Sequence, residues 1–272
     1  MSSPDTDKVF AGSIPKLYDT YLVPLIFKPF AADLLKRLSS RPPSRVLEIA
    51  AGTGVVTRAL ASGLSESASI VATDLNQAML DYASSVRMER AVEWRQADAS
   101  QLPFPDATFD AVVCQFGVMF FPDKPGAFSE ARRVLRAGGV FYFNVWDRIA
   151  ENEFADTIET ALESVFPDDP PRFLSRTPYG YHDRRVIERE LASGGFVASP
   201  LIDTVAARSR AASAQLPALA FCQGTPLKAE IEARKHVRLD EATGLAAEAI
   251  ASRFGRGEVD GKIQAHVVVV ER

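Results

Sequence analysis

The sequence predicts an α/β fold, a mostly parallel sheet with helices on both faces. Three observations predict it. From about residue 44 to 147, short apolar runs alternate with longer amphipathic segments, the pattern of repeated strand–helix–strand units. Glycines interrupt the chain directly after the first run, in Ala51-Gly52-Thr53-Gly54. Acidic residues then follow the next two runs, at Asp74 and Asp98. In open α/β sheets, ligands gather at such carboxyl ends of strands. Right-handed crossovers between parallel strands place helices on both sides.

The elements follow in order. Arg45 to Ala50 reads as the first strand, and Val55 to Leu64 as the helix after the glycines. Ser69 to Thr73 is the second strand, followed by a helix from about Asn76 to Glu89. Val92 to Gln96 and Phe109 to Cys114 are the third and fourth. A helix through Glu130 to Arg136 is expected to end at Gly138-Gly139, before a fifth strand from Val140 to Trp146. Past that point come a helix from Glu151 to Val165 and an irregular Pro167-Asp168-Asp169-Pro170-Pro171, because proline disrupts a helix interior. A strand from Phe196 to Ala207, helices from Ala214 to Arg234 and from Asp240 to Phe254, and a final strand from Ile263 to Val270 complete the chain. The expected division is a helical N-terminal segment (1–43), a ligand-binding core (44–147), a variable insertion (148–195) and a C-terminal part completing the sheet (196–272). The first of these, with its aromatics and prolines from Phe10 to Phe30, is expected to form short helices laid over the core as a lid.

Composition narrows the partners. The chain has 272 residues, 47% hydrophobic and 24% charged, with a net charge of −4. No dense Lys/Arg run is present, so a nucleic-acid partner is not expected. Two cysteines, Cys114 and Cys222, are too few for a disulfide framework or a zinc site, and no metal is expected. No run of about 18 apolar residues exists, so no membrane span is expected. The opening Met1-Ser2-Ser3-Pro4-Asp5 lacks a basic segment with an apolar core. The expected location is the cytoplasm.

The sharpest local signal is Val46-Leu47-Glu48-Ile49-Ala50-Ala51-Gly52-Thr53-Gly54. A strand running through glycines into a helix lets a ligand approach the backbone, with free N–H groups facing it. Asp74 lies about 20 residues beyond Gly54, where a carboxylate can accept from two ribose hydroxyls. Asp98 could accept from an adenine amino group. Taken singly, Asp74 also reads as a helix cap and Asp98 as a turn residue. Together, at consecutive strand ends, the three features point to a nucleoside-containing ligand.

Over residues 44–147 the chain resembles the class I S-adenosylmethionine-dependent methyltransferases, especially the type 11 group that includes ubiquinone and menaquinone biosynthesis methyltransferases. Glu48 with Ala50 to Gly54 is similar to the family's first motif, and Asp74 to Leu80 to its ribose-binding segment. Asp98-Ala99 with Leu102-Pro103-Phe104 and Phe109-Asp110 resembles the adenine-side and fourth-strand motifs. Arg132 to Gly139 resembles the turn into the fifth strand. The resemblance implies a Rossmann-like, seven-stranded, mostly parallel sheet with an antiparallel last strand. It implies S-adenosylmethionine as cofactor and S-adenosylhomocysteine as product. The residues it brings to the cofactor are Glu48, Ala50, Ala51, Gly52, Gly54, Asp74, Leu75, Met79, Asp98, Ala99, Gln115 and Tyr18. Ala50 departs from the family, which usually has glycine there; the alanine methyl is accommodated if the local dihedral is negative, and a small rearrangement of the loop rather than lost binding is expected.

The acceptor is less legible. Exocyclic-amine methylases of bases share an Asn/Asp-Pro-Pro-aromatic motif after the fourth strand, where this chain reads Gln115-Phe116-Gly117-Val118. Cytosine-C5 enzymes carry a Pro-Cys nucleophile; Cys114 has no such proline and reads as a buried thiol. Both absences favour a small-molecule methyl acceptor, with O-, N- or C-methylation open. Tyr21, Phe116, Phe120, Trp146, Phe173 and Tyr181 are candidates to line its site, and each also reads as ordinary packing. Tyr18 and Tyr21 are candidates to close over the cofactor. Of three histidines, His182 is the candidate general base or a helix-start residue. His236 reads as surface and His266 as structural. The competing readings are a nicotinamide-dependent oxidoreductase, which shares the glycine loop and acid, and a non-catalytic S-adenosylmethionine-binding protein. Oligomeric state is not encoded legibly.

Overall fold

The computed structural model describes residues 14–234 and 237–272. Phe10 and His236 therefore lie outside the described residues. Seven strands form one sheet: β1 (Arg45–Ile49), β2 (Ser69–Asp74), β3 (Glu93–Gln96), β4 (Phe109–Gln115), β5 (Leu135–Trp146), β6 (Leu201–Ala211) and β7 (Val259–Glu271). Their order is β3-β2-β1-β4-β5-β7-β6. Pairs β1–β2, β2–β3, β1–β4 and β4–β5 are parallel. The backbone bonds Arg272 N–H to Gly139 O and Asp147 N–H to Gln264 O require β7 to run against β5. The last strand is thus antiparallel.

The chain divides into two compact units. One takes residues 29–145, 182–205 and 265–272; the other, over the described residues, takes 14–28, 146–181 and 206–264.

In the first unit, β1 is central, and Val46, Leu47 and Ile49 are all buried, as a strand covered on both faces demands. Helix α2 (Lys28–Ser39) and helix α3 (Val55–Gly63) press Leu34, Leu38, Val56 and Leu60 against Val46, Val113, Val140 and Tyr142. Phe128, on the later helix Lys124–Val134, meets Phe141 and Phe143 instead. Alternate residues of β5 therefore feed two cores on opposite faces. The other helices of this unit are α4 (Gln77–Ser85), the α5 (Lys124–Val134) that carries Phe128, and α8 (Arg184–Ser193).

Several boundaries differ from the expectation: the strand expected from Phe196 to Ala207 is Leu201–Ala211, the last strand begins at Val259, and two differences in the core have a clear cause. Helix α5 ends at Val134, and Gly138-Gly139 lie inside β5. Gly138 has φ of +72°, and the β4–β5 register shifts between Phe109 and Ala111. The glycines make a bulge in a strand, a role that local reading confuses with a helix stop. Helix α4 ends at Ser85 rather than near Glu89. Arg90 beyond it donates to the carbonyls of Leu60 and Leu64 at 2.8 and 2.9 Å, so this segment finishes α3 instead of extending α4.

The second unit is helical, with the outer parts of β6 and β7. A short turn α1 (Ile14–Leu17) runs into a π-helix, Tyr18–Phe27. Pro24 lies inside it; proline offers no N–H and crowds the turn before it. The wider winding absorbs this, and Lys28 N–H donates to Val23 O, five residues back. Helix α6 (Glu153–Val165), α7 (Phe173–Arg176), α9 (Gln215–Gln223), α10 (Leu227–Ala233) and α11 (Leu239–Phe254) complete the unit. The break at Gly224-Thr225-Pro226 separates α9 from α10, with Thr225 Oγ1 accepting Leu227 N–H at 3.2 Å. Among the described residues, no helix is long and apolar enough to cross a membrane.

Candidate active site

The loop after β1 is held in an unusual conformation. Ala50, Gly52 and Gly54 have φ of +55°, +56° and +83°. The condition of a negative dihedral at Ala50 is therefore not met: the alanine occupies a glycine conformation. It can do so because Gly117 stands opposite. A methyl added at Gly117 would lie 2.5 Å from the Ala50 Cβ and 2.8 Å from Cys114 Sγ, so the missing side chain there leaves room for the alanine. A Cβ at Gly52, by contrast, would meet no atom within 4 Å. The backbone over Gly52 is thus open to close approach.

The loop is tied to β2. Ala51 N–H donates to Thr73 O at 2.9 Å, and Gly52 N–H to Asp74 Oδ2 at 2.8 Å. Asp74 also accepts Asn76 N–H at 2.8 Å, combining its turn role with its place at the strand end. The Asn76 side-chain amide donates to the same oxygen, Oδ1, at 3.4 Å. Burial pushes the Asp74 carboxyl above its usual range, against the lowering by these N–H groups. Glu48, one strand inward and 2% exposed, accepts the Thr57 hydroxyl at 2.6 Å. Burial pushes its carboxyl up to about 8, with Thr57 opposing and the Asp74 charge adding to the rise. Glu48 is therefore protonated at neutral pH.

The remaining cofactor candidates of this unit fall at the strand ends. Leu75 is exposed and Met79 buried on α4. Asp98 is exposed and accepts Ser100 N–H at 2.8 Å and its hydroxyl at 2.7 Å, so one of its oxygens serves a turn; Ala99 beside it is buried. Gln115 closes β4, opposite Asn144 in the β4–β5 register. Phe120 lies half-buried in the 3₁₀ turn Val118–Phe120. His182 directly precedes Asp183, whose side chain caps α8 by accepting Arg185 N–H at 2.8 Å. His266 is buried in β7 and bonded to Thr204 at 3.0 Å. Cys114 lies buried within β4, its thiol pushed up to about 12 by burial.

Four other candidates belong to the helical unit with Tyr18. Tyr18 stacks on Phe27 at 5.0 Å, Phe27 meets Trp146 at 6.0 Å, and Trp146 meets Tyr179 at 5.8 Å. Trp146 and Phe173 are buried, whereas Tyr21 and Tyr181 are half-buried.

Three features escaped the sequence. Phe116 has φ of +51°, a genuine outlier for a bulky residue and one that clusters at functional sites. Its ring packs edge-on against Phe30 at 5.3 Å. Asn144 fixes that conformation, its Oδ1 accepting Phe116 N–H at 2.9 Å. The Thr53 hydroxyl is buried without a hydrogen-bond partner among the described residues. A polar residue inside the aromatic run Phe141 to Trp146 was the one available signal.

Comparisons with known proteins meet this geometry. Residues 47–143 match the methyltransferase domain family, spanning β1 to most of β5. The chain is 35% identical over 145 residues to the ubiquinone/menaquinone biosynthesis C-methyltransferase UbiE of Teredinibacter turnerae, covering 52% of this chain and 54% of that protein. It is 33% identical over 180 residues to UbiE of Burkholderia mallei, covering 62% and 74%. The match thus spans about half of the first relative and about three quarters of the second. Among solved structures, the YcgJ protein of Bacillus subtilis is similar in fold, with TM-score 0.56, 19% identity and coverage of 90% and 98%. So is phosphoethanolamine N-methyltransferase 2 of Haemonchus contortus, in complex with S-adenosylhomocysteine, with TM-score 0.58, 16% identity and coverage of 100% and 61%. Neither an oxidoreductase nor a non-catalytic binder is supported by these relatives. With the glycine loop, the acid at the end of β2 and the antiparallel last strand in place, the chain belongs to the class I S-adenosylmethionine-dependent methyltransferases.

Proposed function

We propose that this chain binds S-adenosylmethionine at the carboxyl ends of β1 and β2 and methylates a small molecule. The observation that carries the reading is the open backbone over Gly52, tied by its own N–H to Asp74. Gly52 admits the methionine part of the ligand to the backbone, and Asp74, at the end of β2, receives the ribose hydroxyls. Protonated Glu48 braces the turn through Thr57. Leu75, Met79, Asp98 and Ala99 serve the adenine side, and Gln115 the sulfonium side. The bound cofactor supplies a methyl carbon activated by its sulfonium. The protein's own work is to align the acceptor and exclude water, a task suited to Phe116 and Phe120.

The relatives' name makes an electron-rich ring carbon the first acceptor to try. His182 is the histidine to test as base for an acceptor that carries a proton; full turnover in His182→Ala would retire it.

The test is calorimetric titration with S-adenosylhomocysteine. One-to-one binding is expected, and Asp74→Ala should weaken it about 10- to 100-fold, the worth of a charge-assisted contact. Equal affinity in the variant would remove Asp74 from the site.

A further inference from the structure

Asn144 is fully buried, and its two amide atoms fare differently. Oδ1 accepts Phe116 N–H at 2.9 Å, and the same N–H also reaches the Asn144 carbonyl at 3.2 Å. Turning the amide over would set a donor against that N–H, so its orientation is fixed by the network. Nδ2 then carries two donor hydrogens, and no acceptor meets them among the described residues. A buried donor left unmatched costs free energy that an apolar side chain of similar shape would avoid. The neighbours of Asn144 on β5, Phe143 and Val145, are such side chains.

Its position suggests what the donor serves. Asn144 pairs with Gln115 at the end of β4. The next two residues are the strained Phe116 and Gly117, and Gly117 faces Ala50 of the glycine loop. The loops after β1 and β4 therefore meet beside this amide. A ligand bound along them presents an amino-acid end with a carboxylate, an adenosine with two ribose hydroxyls, and a cationic sulfur. Asp74 is an acceptor suited to hydroxyls, and it cannot receive a carboxylate while ionised. A neutral, desolvated amide donor can, and a bond to a charged acceptor is about twice as strong as one between neutral groups.

We propose that the Asn144 side-chain amide donates to the amino-acid carboxylate of the cofactor and so selects for ligands that carry it. This rests on the methyltransferase reading above. The probes are S-adenosylmethionine and its decarboxylated form, which keeps the amine, sulfonium and adenosine and lacks only the carboxylate. The variants are Asn144→Ala and Asn144→Asp; the second keeps an acceptor for Phe116 N–H while removing the amide donor. Thermal melts establish that each variant is folded.

The wild type should bind S-adenosylmethionine at least about 10-fold more tightly than the decarboxylated form. Both variants should lose about 10-fold for the first probe and stay within about two-fold for the second. An equal loss for both probes would show that Asn144 acts only through the Phe116 backbone, and no loss for either would show that the donor meets no ligand; both results overturn the proposal. A wild-type chain that binds neither probe would instead sink the methyltransferase reading, a failure visible before any substitution is made.

Discussion

At the scale of single residues, strain and its relief stand side by side. Ala50 and Phe116 hold φ of +55° and +51° at the ends of adjacent strands. Left-handed backbone costs an alanine about 1–2 kcal/mol, whereas glycine's extra unfolded freedom costs about 0.5–1 kcal/mol. Ala50→Gly should therefore stabilise the protein by up to about 1 kcal/mol, read by denaturant unfolding. Gly117→Ala should destabilise it by roughly 1–3 kcal/mol, because its methyl lands on Ala50 and Cys114. Part of that loss should return when both changes are combined, since one of the two clashes is then gone. Strict additivity in the double-mutant cycle would mean that Ala50 and Gly117 do not touch.

Glu48 carries a second consequence at this scale. Its carboxyl lies at about 8 in the folded chain against an ordinary 4.5, raised first by burial. The folded state thus holds a proton that the unfolded chain releases. The stabilising contribution is complete below about pH 4.5 and is lost as pH rises toward 8. Glu48→Gln has no proton to lose, so it should gain stability relative to the wild type across that window. The gain should be on the order of a few kcal/mol at pH 8. A gap between the two melting curves that does not change with pH would refute the protonated state of Glu48.

Helix α2 shows how whole elements are fixed by one face. Ala31, Leu34 and Leu38 recur at helical spacing and meet the sheet through Val46, Val113, Val140 and Tyr142. Leu34 has no exposed surface, so Leu34→Ala should cost about 2–5 kcal/mol by transfer and cavity terms. A midpoint shift equivalent to less than about 1 kcal/mol would mean that the site collapses around the smaller side chain. In the helical unit, short α7 lacks the length to stabilise itself. Two buried carboxylates hold its first turn: Glu230 accepts Arg172 N–H and Glu159 accepts Ser175 N–H, each at 2.9 Å. Arg176 pairs with Glu230 at 2.7 Å. These charges are partnered, which is why they can lie inside.

For the whole molecule, ligand binding and folding are linked. A compound that binds the folded chain alone stabilises it by about 2.7 kcal/mol at a hundred-fold excess over its Kd. For a chain of this size that is a rise of roughly 5–10 °C in Tm. S-adenosylhomocysteine should produce such a rise, and Asp74→Ala should shrink it. A rise of equal size in both proteins would place the ligand elsewhere than at Asp74.

The periodic apolar runs from Arg45 to Trp146 determined the strands, the helices between them and the parallel core, because hydrophobic spacing is local and the sheet is buried on both faces. The glycines after β1 and Asp74 were legible for the same reason, since a turn and a strand-end acid are properties of a few consecutive residues. The tertiary structure decided what depends on partners distant in the chain. Gly138-Gly139 could be read as a bulge only beside Phe109 and Ala111 of β4. Ala50 could take a glycine's conformation only because Gly117, far along the sequence, leaves it space. Asn144 became a site residue only when β4 and β5 placed its amide against the Phe116 backbone. Local pattern carries the fold, because burial is set by spacing; the strained and half-satisfied groups at the strand ends arise from contacts that no local pattern encodes.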